Sequence, residues 1–150
     1  MTLKFQANIT DISDFSQIFH NLSGFEMEIV KEYLEQQKYP GHIPICAEGK
    51  RGEGIFLINS GEVKVIKKTP EGAKPLGKLG KGDVFGEISM LANIPYTASV
   101  YTATECELTF LSRKNFEVIK EKHTDIAFKI ITALAEILAK RLIELNTLLL

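Results

Sequence analysis

The residues with chemistry to offer cluster in one stretch, 84-VFGEISMLANIPYTASV-100. Gly86 and Glu87 open what reads as a short helical turn, Pro95 closes it, and an extended run follows. A helix start presents backbone N–H groups with no intrahelical partner, and its dipole favours negative charge. Glycine lets a ligand approach the main chain closely, and a glutamate there can accept a hydrogen bond from a ligand hydroxyl. The arrangement suits a small anion. Tyr96 stands out, because an anion at that point wants a cation.

Other chemistries find no support in the residue pattern. His20, His42 and His123 are scattered, with no His-x-His pair for a metal and no nucleophile–base pair or Walker-type loop. Neither an enzyme nor a metal or cofactor is expected. Cys46 and Cys106 are the two cysteines, sixty residues apart, without zinc or iron–sulfur spacing. No run reaches the roughly 18 apolar residues of a membrane span, and the start has no leader pattern, so a cytoplasmic setting is expected. The formal net charge of −1 gives no global field toward nucleic acid. Between Ile45 and Gly82, eight Lys/Arg face four Glu, a local excess that suits a small anion or a solvated face.

The elements that must position the cradle follow from periodicity. Ile12, Phe15, Ile18, Phe19 and Leu22 recur at helical spacing behind Asp11. Ser23-Gly24-Phe25-Glu26 is a capping-box pattern, with Leu22 and Met27 placed as a hydrophobic staple. A second helix carrying Met27, Val30 and Leu34 is predicted to run to about Lys38, stopped by Tyr39-Pro40-Gly41. From Gly41 to Leu111 the period becomes two. Residues 55–58 and 63–66 read as a hairpin about the turn 59–62, and Thr69-Pro70-Glu71-Gly72 turns into a strand around Pro75–Leu79. Ala98, Val100, Cys106, Leu108 and Phe110 share one parity, which predicts a half-buried strand pair with Cys106 in the core. Short strands with Gly-rich turns indicate a small antiparallel barrel or jelly roll, and Ser112 is placed to cap a helix carrying Phe116 and Ile119.

A long helix is expected from Thr124 or Asp125 to the end. Phe128, Ile131, Ala135, Leu138, Leu142, Leu145 and Leu149 are spaced 3, 4, 3, 4, 3, 4, an unbroken heptad seam. Ile126, Ile130, Leu134 and Ile137 form a second stripe on another face. One face can pack on the strands while the other meets a partner, so a parallel homodimer is expected.

In this order, 53-EGIFLINSGEVKVI-66, 76-LGKLGKGDVFGEISML-91, 95-PYTASV-100 and the long terminal helix resemble the cyclic nucleotide-binding domain family, from about Phe19 to Asn146. The resemblance implies an α+β fold, an antiparallel jelly-roll β-barrel with N-terminal helices and a long C-terminal dimerisation helix. One domain over 1–150 is expected: helices in 1–40, the barrel in 41–111 with a phosphate-binding cassette at 85–100, and helices in 112–150. It implies a regulatory domain that binds cyclic AMP or cyclic GMP and signals through that helix. The implied ligand-binding residues are Phe85, Gly86, Glu87, Ile88, Ser89, Tyr96, Thr97 and Ala98, with Asn146 as a base contact. Glu87 would take the ribose 2′-hydroxyl, and backbone N–H groups at Ser89 and Thr97 the phosphate. The family's cassette arginine is replaced by Tyr96. A charge-assisted hydrogen bond contributes about 1.5–3 kcal/mol, so its loss weakens binding roughly 10–150-fold. The Tyr96 hydroxyl, Lys78 or Lys81 could compensate in part. The alternative is a ligand-free dimerisation scaffold of the same fold. Family members that bind DNA append a recognition helix, and here Lys140-Arg141 is the only basic pair near the end, so DNA binding by this chain alone is not expected.

Overall fold

The computed structural model describes residues 3–5 and 16–149, with side chains from 17 to 148. Its elements run β1 (Leu3–Phe5), α1 (Ser16–Phe19), α2 (Gly24–Lys31), β2 (Glu35–Tyr39), β3 (Pro44–Cys46), β4 (Gly54–Ser60), β5 (Val63–Thr69) and β6 (Gly72–Leu79). They continue with β7 (Val84–Phe85), α3 (Glu87–Ala92), β8 (Ser99–Thr102), β9 (Cys106–Ser112), α4 (Arg113–Lys122) and α5 (Thr124–Leu149). Two antiparallel sheets face each other in jelly-roll fashion, ordered β1-β2-β9-β4-β7 and β3-β8-β5-β6. No described strand pair joins them, so the expected barrel is an open sandwich.

Strand β4 explains the layering. Its run Ile55-Phe56-Leu57-Ile58 is buried on both faces. Phe56 and Ile58 enter the core between the sheets, with Cys46, Val63, Phe85, Val100, Cys106 and Leu108. Ile55 and Leu57 enter a second core beneath the helices, with Met27, Val30, Phe116, Ile119, Ile130 and Leu134. A strand covered on both sides loses polar alternation, which is why these four residues are all apolar. Cys106 is fully buried, as its parity predicted.

Local signals set the helix starts as expected. Ser23 Oγ accepts from the Glu26 amide at 3.1 Å, and Glu26 Oε1 accepts from the Ser23 amide at 3.0 Å. Ser112 Oγ accepts from the Asn115 amide at 3.0 Å. Ile18 and Phe19 are buried on α1, while Ile12 and Phe15 lie outside the described residues.

Three expectations need correction. Helix α2 stops at Lys31, and Glu35–Tyr39 is strand β2, not helix. The pull is non-local: β2 completes the ladder of β9, from Glu35↔Phe110 to Tyr39↔Cys106, and pairs β1 on its other side. Gln36 and Gln37 are buried there because their side chains bond inside the sheet, Gln36 to Thr109 and Asn59, Gln37 to Tyr39. Strands β4 and β5 are not a hairpin, because β4 pairs β9 and β7 while β5 pairs β6 and β8. Strands β8 and β9 likewise belong to different sheets. In each case a short loop carries the chain across the sandwich instead of reversing it within one sheet. The turn at 69–72 and the strand after it are as expected, and that strand, β6, pairs β5.

The crossing after β4 depends on Gly61, whose φ of +92° disfavours side chains and whose added Cβ would meet the Glu105 carbonyl oxygen at 2.3 Å. Gly61→Ala should cost more than about 2 kcal/mol of stability, read as a lower urea midpoint. Gly24→Ala, in the first turn of α2 with nothing near its added Cβ, should instead be neutral or stabilising by about 0.5–1 kcal/mol.

Candidate ligand site

Strand β7 pairs β4 through Phe56↔Phe85 and Leu57↔Val84, and the Phe56 and Phe85 rings stack at 4.9 Å. This pairing delivers the chain to Gly86, the N-cap of α3, at φ +86°. An added Cβ at Gly86 would stand 2.7 Å from the Gly54 carbonyl oxygen, so the position needs glycine for space as well as backbone. At its other end α3 stops on Asn93 in the left-handed region.

A cavity of about 210 Å³ opens above this helix start. Phe85, Gly86, Glu87, Ile88, Ser89, Tyr96, Thr97 and Ala98 all line it, together with Cys46, Val65, Leu79 and Val100. The structure therefore brings eight of the nine sequence-predicted residues to one cavity. Asn146 lies exposed on α5 and is not among the lining residues.

Glu87 is 3% exposed. Its carboxylate is ion-paired with Arg141 Nη1 from α5, and Arg141 Nη2 donates to the Val84 carbonyl oxygen at 2.6 Å. Burial pushes the Glu87 carboxyl above its ordinary value, and the Arg141 charge draws it only partly back. Arg141 itself lines the cavity, so the site holds one anion and one cation.

Tyr96 is 8% exposed, and its ring joins the core between the sheets. Its hydroxyl accepts from the Glu53 amide at 3.1 Å and lies against the Cys46 thiol. Burial raises the phenol and pushes the thiol up to about 12, so both stay neutral. Its amide donates to the Lys50 carbonyl oxygen at 2.8 Å, and its carbonyl accepts from the Gly49 amide at 2.9 Å. The lysines considered as stand-ins for the cassette cation do not line the cavity. Lys78 instead pairs with Glu62 at 3.5 Å.

Sequence reasoning did not single out Arg141 as a site residue. The available signal was its phase: it stands seven residues after Leu134 and eleven after Ile130, a basic residue on the core-facing stripe of α5. Among the described residues no group of three His, Cys, Asp or Glu could hold a metal ion. His20 lies 3.3 Å from Glu136, and His123 ends α4 with its ring edge-on to Tyr33.

Comparison with known proteins identifies the family. The cyclic nucleotide-binding domain matches residues 36–123. The cyclic AMP receptor protein of Thermus thermophilus is 31% identical over 130 residues, which cover 86% of this chain and 58% of that protein. A cAMP-dependent protein kinase regulatory subunit from Neurospora crassa is 34% identical over 100 residues, 67% of this chain and 26% of that one. The solved regulatory subunit of a cAMP-independent protein kinase A from Trypanosoma brucei superposes with a TM-score of 0.71 at 25% identity, covering 85% of this chain and 45% of that one. A triply substituted form of it, one change introducing an arginine, is bound to cyclic AMP in its A site. The two sheets, the N-terminal helices and the long terminal helix define a jelly roll of this type. The chain belongs to the cyclic nucleotide-binding domain family, whose members above are regulatory proteins. No helix among the described residues is long and apolar enough to cross a membrane.

The buried carboxyl gives a pH signature. A folded-state value raised above the unfolded one contributes stability that is full below the unfolded value and lost as pH rises through the folded value. Wild-type stability minus that of Glu87→Gln should therefore be largest near pH 4 and decline toward pH 7 in urea melts. A flat difference would remove burial as the dominant influence on Glu87.

Proposed function

We propose that this chain is a regulatory sensor domain that binds a cyclic nucleotide or a closely related ligand, with Arg141 supplying the cation that the cassette lacks at Tyr96. The observation that carries this reading is the guanidinium of Arg141 inside the cavity, on the carboxylate of Glu87. A ligand with a hydroxyl and a phosphate matches that pair. The hydroxyl takes Glu87, and the phosphate takes Arg141 and N–H groups at the start of α3. Binding separates the pair, so occupancy is felt directly by α5. Ser89, Thr97 and Ala98 line the phosphate side, and the apolar wall of Val65, Leu79 and Val100 suits a planar base.

The output of that change is a helix with an uncovered face. Ile126, Ile130 and Leu134 are buried against the domain, while Phe128 is 71%, Leu142 60% and Leu145 55% exposed. At 26 residues α5 is about 39 Å long. Two copies joined along Phe128, Ile131, Ala135, Leu138, Leu142, Leu145 and Leu149 would cover this face as a coiled coil. The domain then acts as a non-catalytic switch between protomers.

A second reading, a scaffold that binds no nucleotide, is favoured by Tyr96: its ring is buried and its hydroxyl already engaged with Glu53. A fold relative is the Trypanosoma protein described as the regulatory subunit of a cAMP-independent protein kinase A.

Titration calorimetry with cyclic AMP and cyclic GMP to millimolar concentration separates the two readings. Saturable binding is expected for one or both, weakened at least tenfold by Arg141→Gln, consistent with loss of a charge-assisted bond of about 1.5–3 kcal/mol. Tyr96→Arg should raise affinity at least tenfold. Flat traces for wild type and Tyr96→Arg alike would leave the scaffold. Sedimentation of Leu142→Glu/Leu145→Glu should give a monomer where wild type gives a dimer.

A further inference from the structure

We propose that Arg113, outside the cavity, is the positioning residue that fixes the C-terminal end of α3 and makes that end the pivot of the cassette. The proposal deepens the ligand-site reading above and names the part of the site that does not move.

Arg113 is the first residue of α4. Its guanidinium spans three main-chain carbonyls. Nη1 donates to Met90 O at 3.2 Å, and Nη2 to Ser89 O at 3.0 Å and to Gly52 O at 3.1 Å. Nε reaches Gly52 O at 3.4 Å, and the Arg113 amide donates to Glu53 O at 2.8 Å. No carboxylate pairs with it among the described residues. Ser89 O also accepts from the Asn93 and Ile94 amides, and the carbonyls of a helix's last turn form the negative end of its dipole, which favours a cation. A planar fork of five donors meets several such oxygens at once, which a lysine ammonium on a flexible stem does not.

The same contacts press α3 onto the entrance of β4. An added Cβ at Gly52 would stand 2.6 Å from the Ser89 Cβ, and one at Gly86 would stand 2.7 Å from Gly54 O. Between them the Glu53 amide donates to the Tyr96 hydroxyl. Residues 52–54 thus underlie the whole cassette. Its two ends are held by arginines of different character. Arg141 grips a side chain inside the cavity, where a ligand competes for it. Arg113 grips main chain and does not line the cavity, so occupancy leaves its contacts in place. Arg113 thus ties the start of α4 to the last turn of α3, while on the proposed reading ligand acts on the Glu87–Arg141 contact.

Amide hydrogen exchange on the full chain tests this without any ligand. In Arg113→Lys, amides of Met90, Asn93 and Ile94 should exchange at least tenfold faster. Those of Val30 on α2 and Leu108 on β9 should stay at wild-type rates. Glu87→Gln measured in parallel should leave Met90, Asn93 and Ile94 near wild type. Unchanged rates at the three cassette amides in Arg113→Lys, or equal acceleration at Val30 and Leu108, would overturn the pivot. So would acceleration at the three amides in Glu87→Gln as large as in Arg113→Lys. Because the lysine keeps charge and length, the variant tests the fork without depending on a folded alanine mutant. Flat nucleotide titrations alongside localised acceleration would remove the ligand reading and keep the pivot. Where cyclic AMP does bind, Arg113→Lys should weaken it several-fold.

Discussion

The arrangement of this domain turns on a carboxylate buried away from water. Glu87 is almost wholly enclosed, and an unpaired ionised group there is costly enough that removing its partner typically costs about 3–5 kcal/mol. Its partner comes from 54 residues further along the chain, on the terminal helix. Arg141 reaches it only because Ile130 and Leu134 seat α5 on the helix-side core in one rotational setting. A rotation of α5 by one residue position, about 100°, would carry the guanidinium out of the cavity. The ion pair and the apolar stripe therefore specify the same register, one through charge and the other through burial.

Strand β4 is the fixed reference against which this happens. Its centre is packed on both faces, and its entrance, residues 52–54, has no side-chain bulk at two of three positions. That flat entrance lets α3 approach within ordinary backbone contact and lets the Glu53 amide satisfy the Tyr96 hydroxyl. The cavity of about 210 Å³ is then bounded by the cassette and β8 on one side and by Arg141 of α5 on the other. This division follows from where the contacts are main-chain and where they are side-chain.

What could be read from the sequence was what local chemistry dictates. The Ser23–Glu26 capping box, the Ser112 cap, the cassette turn at Gly86 and the heptad spacing from Phe128 each depend on residues within a turn or two of one another. The errors share a non-local cause. Glu35-Gln36-Gln37-Lys38-Tyr39 has weak strand propensity, and only the unfilled edge of β9 makes it a strand. Residues 55–66 look like a hairpin because alternation marks strands but not the sheet each one joins. Arg141 was visible only as half of a basic dipeptide, because its role depends on a carboxylate brought to it by the fold. The eight cassette residues were legible because they are contiguous in two short runs. The two arginines that hold them were not, because each acts across the fold.

Tyr96 is accommodated by burial rather than by charge. At this position a tyrosine ring adds apolar area to the core between the sheets, and its one polar atom is satisfied by a main-chain amide. A guanidinium in the same place would need an anion to justify its burial. Tyr96 therefore places no charge in the cavity, and among the described residues the cation lining it is Arg141, held on Glu87 by α5. On the proposed reading this alters what the ligand pulls on. A cation on the cassette strand would bind phosphate and hold the cassette to itself. A cation on α5 binds phosphate only by leaving Glu87, so each binding event is also a change in how the terminal helix is held.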